Sequence, residues 1–257
     1  MKKTRRFDTL IGTLAAFASG LTLYVAAHAA EDPDGWSYGG DSGPEIWGSL
    51  VSQFELCETG RMQSPVDLDQ ENAVGDLEFS VDWDSSPLVV SNSGKTVQAN
   101  FQPGSYMTSG GRVFNLLQVH FHTPSEHTFS GQTYPLVAHF VHSTDEGRLG
   151  VLGILFEEGE ENTELQKIID AVGDADGNTR AVKGVSLDPN GMLPRELEIF
   201  RYVGSLTTPP CSEGVQWHVA EDAVQASSAQ IGRMESIMGM NARPVQPLNG
   251  RLLVEPD

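Results

Sequence analysis

The sequence predicts a mainly β domain of α+β character, built on one large, mostly antiparallel sheet with a few peripheral helices. Three observations carry this expectation. Short β-prone segments recur through most of the chain, only two stretches show helix start signals with apolar helical spacing, and composition does not break after residue 31. Many strands and few helices leave a large sheet as the layer that buries the core. At 257 residues the chain is long enough for one such domain.

Residues 1–30 are read as a signal peptide and 31–257 as the domain. Lys2, Lys3, Arg5 and Arg6 form a basic start, Leu10 to Ala27 is mostly apolar, and Ala27-His28-Ala29 supplies a small-residue cleavage site. Arg5-Arg6 hints at twin-arginine export, but Phe7 falls one place early, so the export route stays open. Of 16 basic and 35 acidic residues, the leader holds four basic and one acidic (Asp8), leaving 12 against 34 and a net charge of −22 with neutral His. Such a surface repels nucleic acid and anionic membranes, which argues against both as partners. It reads as a solvated acidic face suited to high salt; stability and activity that stayed flat from low to molar salt would remove that reading. Cys57 and Cys211 survive cleavage, and an even count after export favours one disulfide in a periplasmic or secreted protein.

Asp32 to Pro44, rich in Gly, Asp and Pro with Trp36 and Tyr38 inside, reads as an arm anchored by aromatics. Leu77 to Trp83 alternates strictly, and Leu88-Val-Val, Asn92-Ser93-Gly94 and Thr96-Val97 read as a hairpin. Val113 to Phe121 is a β-prone run with apolar residues on both faces, which predicts a central strand ending at Thr123-Pro124. Leu136 to His142 and Leu149 to Phe156 follow as strands. Thr163-Glu-Leu-Gln166 reads as a capping box, with Leu165, Ile168, Ile169 and Val172 at helical spacing and Gly173 as the stop. Asp174 to Gly177 is an acidic loop. Ser227 to Gln230 is a second box, with Ile231, Met234 and Met238 on one face.

The chemistry concentrates in Gln118 to His127, QVHFHTPSEH. Side chains of a strand alternate faces, so His120 and His122 project from one side and supply half of a tetrahedral zinc site. A lone buried His is usually a satisfied core residue; two at this spacing, with more His and a Glu nearby, point to metal. The six His of the mature chain include His139 and His142 on one strand, but their odd separation puts them on opposite faces. At most one of the two easily joins His120 and His122.

QVHFHTPSEH, together with Gly204-Ser-Leu-Thr-Thr-Pro-Pro-Cys211, Gln63-Ser-Pro-Val-Asp67 and Asn241-Ala-Arg-Pro-Val-Gln-Pro-Leu248, closely resembles the α-class carbonic anhydrases in their exported bacterial form. The likeness runs from about Trp36 to Leu253. It implies a large twisted sheet with Zn2+ at the bottom of a conical cleft, and reversible hydration of CO2 to bicarbonate and a proton by zinc-bound hydroxide. His120, His122 and His139 match the zinc ligands, and Gln118 the amide that orients the first. Thr207 matches the threonine that orients the hydroxide and donates to a carboxylate, here Glu126. Val141, Val151, Leu206, Thr208, Val215 and Trp217 match the CO2 pocket, and Cys57 and Cys211 the family disulfide. Small-molecule substrate, with no nucleic acid and no membrane once the leader is removed, completes the expectation; a homodimer is left open.

Two positions depart from the family pattern. Lys95 stands where fast members place a proton-shuttling His, and a lysine with a pKa near 10.4 does not readily accept a proton at neutral pH, so slowed proton release is expected. Val137, two before His139, stands where the family has a Glu that bonds the third ligand's other nitrogen, so looser zinc is expected. These changes keep open a weakly active or non-catalytic binding protein on the same fold. His120-x-His122-x3-Glu126 also fits the first cupin motif, which would make Glu126 a ligand, but no second cupin motif surrounds His139 and the 204–211 segment stays unexplained. His142 and His218 read as structural.

Overall fold

A computed structural model describes residues 35–69, 73–75, 78–173, 175 and 177–256. The expected signal peptide of residues 1–30, Asp32 to Asp34 of the N-terminal arm, Leu77 of the first alternating segment, and Asp174 and Asp176 of the acidic loop lie outside these residues. In chain order the strands are β1 (Ala73–Val74), β2 (Phe79–Asp82), β3 (Ser86–Asn92), β4 (Val97–Asn100), β5 (Tyr106–Ser109), β6 (Arg112–His122) and β7 (Leu136–Ser143). They continue with β8 (Leu149–Glu158), β9 (Arg180–Leu187), β10 (Ile199–Ser205), β11 (Glu213–Ala220), β12 (Val224–Ala226) and β13 (Val254–Glu255). All 13 belong to one sheet, with the main order β1-β13-β10-β11-β8-β7-β6-β4-β3-β9. β11 and β12 run parallel to β8, and β1 parallel to β13; the other pairings are antiparallel, as the alternating segments predict.

The centre of the sheet is covered on both faces. Along β7 and β8, Leu136, Ala138, Phe140, Leu152, Ile154 and Phe156 enter one core, and Val137, Val141, Val151 and Leu155 enter the other. This is the two-residue period of strands buried on each side. Strand β6 needs a further device, because Phe114 and Leu116 are even-numbered while Val119 and Phe121 are odd, yet all four face the first core. The pairing with β7 shifts between Leu116 and Gln118. One extra residue there resets the alternation. Gln118, His120 and His122 are thereby turned to the opposite face.

Helices α1 (Trp47–Leu50) and α2 (Leu56–Thr59) sit in the N-terminal segment, and α3 (Thr163–Ala171) and α4 (Ser228–Met238) pack on the first core. Ser227 and Gln230 form the expected capping box of α4. The cap of α3 differs from the sequence reading: Asn162, not Thr163, accepts from the Glu164 and Leu165 N–H groups, and the helix stops at Ala171. An Asn carbonyl satisfies two of the orphan donors by itself, which makes Thr163 the first helical residue. Among the described residues no helix is long and apolar enough to cross a membrane. Cys57 on α2 and Cys211 beyond β10 form a disulfide whose half-cystines are 154 residues apart.

Candidate active site

His120 on β6 and His139 on β7 are directly opposed in the antiparallel register, and His122 follows two residues on, opposite Val137. The phase reset in β6 is what puts all three on one face. Their ring centroids lie 5.1 Å (His120 to His122), 5.3 Å (His120 to His139) and 4.7 Å (His122 to His139) apart. One nitrogen from each lies within 4.8 Å of the others, the one such metal-competent cluster among the described residues.

Hydrogen bonds choose which nitrogen is offered. His120 Nδ1 donates to Gln118 Oε1 at 3.0 Å, and His122 Nδ1 to the Asn241 carbonyl at 2.7 Å. Both rings therefore keep Nε2 as the bare nitrogen, and His122 Nε2 is buried with no partner. His139 Nδ1 lies 3.8 Å from Glu126 Oε2, the same oxygen that is 3.5 Å from His122 Nε2, so Nδ1 faces the cluster. Its outer Nε2 is buried without a partner. Burial holds His120 well below the ordinary histidine range, with His122 adding to it, and burial does the same to His139 with His122, His120 and His127 adding. Neutral imidazoles are the form a metal needs, and three nitrogen donors around an open position suit zinc. The residues fit the metal.

Glu126 is buried beside this cluster. Burial raises its pKa against the opposing pull of His122, the Arg243 N–H, the Thr207 hydroxyl and the Arg243 charge. Oε1 accepts from the Arg243 backbone N–H at 2.9 Å. Thr207 is the hydroxyl placed to bond the carboxylate, although Oε2 makes no fully formed bond in this structure. Thr207 is buried in the turn after β10, which is closed by Leu206 N–H to Ser212 O and Cys211 N–H to Thr208 O.

Val141, Val151, Val215 and Trp217 are buried together with Val137, and Leu206 packs on them; Thr208 is half-buried in the same turn. Val141 and Trp217 both pair with Val151 across β7, β8 and β11, which gathers them into one apolar wall beside His139. Trp217 also meets the rings of His139 at 4.9 Å and His127 at 4.7 Å. Lys95, in the turn between β3 and β4, holds its ammonium 3.9 Å from the Trp36 ring centre. Trp36 stands edge-on to Tyr38 and Trp47.

Several contributors carried no role in the sequence reading. Asn241 is a clasp: its carbonyl orients His122, Oδ1 accepts from Thr123 N–H at 2.7 Å, and Nδ2 donates to the carbonyls of Phe121 at 3.0 Å and Lys95 at 2.8 Å. The Arg243 guanidinium donates to Gln63 Oε1, Ser64 O and Cys57 O, tying the disulfide region to the Glu126 loop. Tyr38 is half-buried, near enough to Glu126 that its phenol is raised well above the ordinary range, chiefly by desolvation and then by that carboxylate. Asn241 and Arg243 fall inside a motif the sequence displayed. Tyr38 had no signal beyond its place in an aromatic arm. His142, on the opposite face of β7, stacks on Trp83, and His218 on Phe79, which keeps both out of the site.

The family model for eukaryotic-type carbonic anhydrase matches residues 42–256. A carbonic anhydrase of Nostoc sp. is 40% identical over 257 residues, covering 98% of this chain and 97% of the relative. Among solved structures, the α-carbonic anhydrase of Photobacterium profundum is 42% identical with a TM-score of 0.80, covering 86% of this chain and all of that one. That of Thermovibrio ammonificans, in complex with the inhibitor sulfanilamide, is 41% identical with a TM-score of 0.83, covering 86% of this chain and 99% of its own.

Proposed function

The chain belongs to the eukaryotic-type carbonic anhydrase family and is a carbonic anhydrase, and from that premise we propose how its own residues carry the reversible hydration of CO2 to bicarbonate and a proton. The observation that supports the assignment of roles is the convergence of three imidazole nitrogens, with two of the rings fixed by hydrogen bonds on their far side. His120, His122 and His139 would hold Zn2+, which in carbonic anhydrases lowers the pKa of water to about 7 and so supplies a nucleophile at neutral pH.

Gln118 and the Asn241 carbonyl fix the tautomer and orientation of the first two imidazoles. Glu126, as a carboxylate, only accepts hydrogen bonds, so Thr207 must donate its proton to it. The Thr207 oxygen is then left as an acceptor, which fixes the O–H of the attacking species and aims its lone pair at the substrate. Val141, Val151, Leu206, Val215 and Trp217, with Thr208 at their edge, offer CO2 an apolar surface that bicarbonate, once charged, leaves. The proton must then leave the site, and at the position of the family's shuttle His this chain has Lys95, with Nζ over the Trp36 ring. We read residues 1–30 as a cleaved export signal, in keeping with the disulfide, and place the mature protein in the periplasm or outside the cell.

Stopped-flow CO2 hydration by the zinc-loaded mature chain, with His120→Ala as control, tests the assignment. Hydration that is zinc-dependent and abolished in the variant is expected. Equal hydration by wild type and variant would overturn it.

A further inference from the structure

Among the three imidazoles of the site, His139 alone lacks an orienting partner at its outer nitrogen. His139 Nε2 is buried and unbonded, and a second buried nitrogen close by, His127 Nδ1, is also unbonded. Both rings pack on Trp217, with centroids 6.3 Å apart.

The hydrogen-bond directions make these two orphans complementary. Tyr202 Oη donates its single proton to Ser64 Oγ at 2.8 Å. His127 Nε2 lies 2.7 Å from the same Tyr202 oxygen, so in that pair the imidazole must be the donor. A neutral His127 with its proton on Nε2 leaves Nδ1 as a bare acceptor. His139, which turns a bare Nδ1 toward the metal cluster, carries its proton on Nε2 and is a donor there. The gap between donor and acceptor is too wide for direct contact. Subtracting about 1 Å for each ring from the centroid spacing leaves at least about 4 Å, beyond the ~3.2 Å reach of a hydrogen bond, so a link between them calls for an intervening water. Val137, on the same face of β7 and fully buried, offers neither nitrogen a polar group.

We infer that His127 is the positioning residue for His139, acting through one buried water that accepts from His139 Nε2–H and donates to His127 Nδ1. The third ligand is thus anchored on the chain His127–Tyr202–Ser64, and Ser64 Oγ is fixed in turn by the Ser205 N–H at 3.0 Å. The inference rests on the reading of His139 as a metal ligand. Water in such a place makes enough hydrogen bonds to be a fixed part of the structure.

The test is zinc release from the loaded mature chain to a colorimetric chelator, alongside a high-resolution crystal structure of the zinc form. His127→Phe should release zinc about 10–100-fold faster, the usual size of losing an outer partner of a metal-bound His. Val137→Gln in the same background, whose amide oxygen can accept directly from His139 Nε2–H, should slow release back toward wild type. The crystal structure should show one water within hydrogen-bond distance of both nitrogens. Should His127→Phe fail to fold, Tyr202→Phe takes its place: it removes the acceptor that fixes the His127 tautomer and should also speed release. Wild-type release rates in every variant that folds, or no water between the two nitrogens, would overturn the inference. Failure of wild type to take up one zinc, or undiminished uptake by His120→Ala, would instead overturn the metal-site reading beneath it.

Discussion

Lowering the pH from 7 to 5 should cost this fold about 4 kcal/mol through His142 and His218 alone, two residues outside the chemistry. His142 donates Nδ1–H to the Phe140 carbonyl at 2.9 Å and lies under Trp83, and burial pushes its pKa down to about 3. His218 pairs Nε2 with Ser109 Oγ at 2.8 Å against Phe79, and burial, with Arg201 assisting, pushes it to about 4. In the unfolded chain both titrate near pH 6.5. Between the folded and unfolded values the unfolded state binds more protons, so stability rises with pH. Each contribution is complete above about pH 6.5 and is lost as pH falls toward 3–4. At pH 5 the unfolded histidine lies about 1.5 units above ambient pH while the folded one is still neutral, which gives about 2 kcal/mol per residue. Urea titrations of wild type and His142→Gln at pH 7 and pH 5 isolate one of the two, because the acid response of the His120, His122 and His139 cluster is common to both proteins. Whatever its stability at pH 7, the variant should lose about 2 kcal/mol less than wild type on acidification. An equal loss in both proteins would show that His142 is not held neutral by the fold.

Other expectations follow from the site and the disulfide. Glu126→Gln should keep zinc, checked by metal analysis, yet lose roughly 10–100-fold in CO2 hydration, since an amide no longer forces the Thr207 proton its way; loss of zinc would make Glu126 a ligand instead. Turnover should rise with added imidazole-type buffer, and Lys95→His should raise it in dilute buffer; fast turnover independent of buffer would refute slow proton exit. Reducing Cys57–Cys211 should lower stability by at most about 5 kcal/mol, the chain-entropy value for a loop of this length, read as a fall in the urea midpoint.

The fold was legible where local pattern carries it. The short β-prone runs that became β7 and β8, the hairpin at Asn92-Ser93-Gly94 and the Ser227–Gln230 box each follow from neighbouring residues, and each formed. The reset inside β6 was not. A run with apolar residues on both faces fits either phase, and the choice between them is made by the partner strand, so no residue type at Leu117 announces a bulge. The cap of α3 was misplaced by one residue for a related reason: Asn162 and Thr163 are both good caps, and only backbone geometry selects between them.

The support of the three imidazoles shows the same limit from the side of chemistry. Gln118 precedes His120 by two residues on the same face, so sequence spacing and side-chain type together indicate the contact. The partner of His122 is a carbonyl on Asn241, 119 residues away. Any residue can offer a carbonyl, so nothing in the identity of Asn241 encodes that bond; the side chain encodes instead the clasp that holds the carbonyl in place, through Thr123, Phe121 and Lys95. This makes Asn241→Ala a sharper perturbation than its distance from the reacting atoms suggests. It leaves the carbonyl in the chain but removes three of the hydrogen bonds that aim it, and it frees the turn bearing Lys95 as well. Of the three imidazoles, His122 would therefore be the one most exposed to a change made far along the sequence.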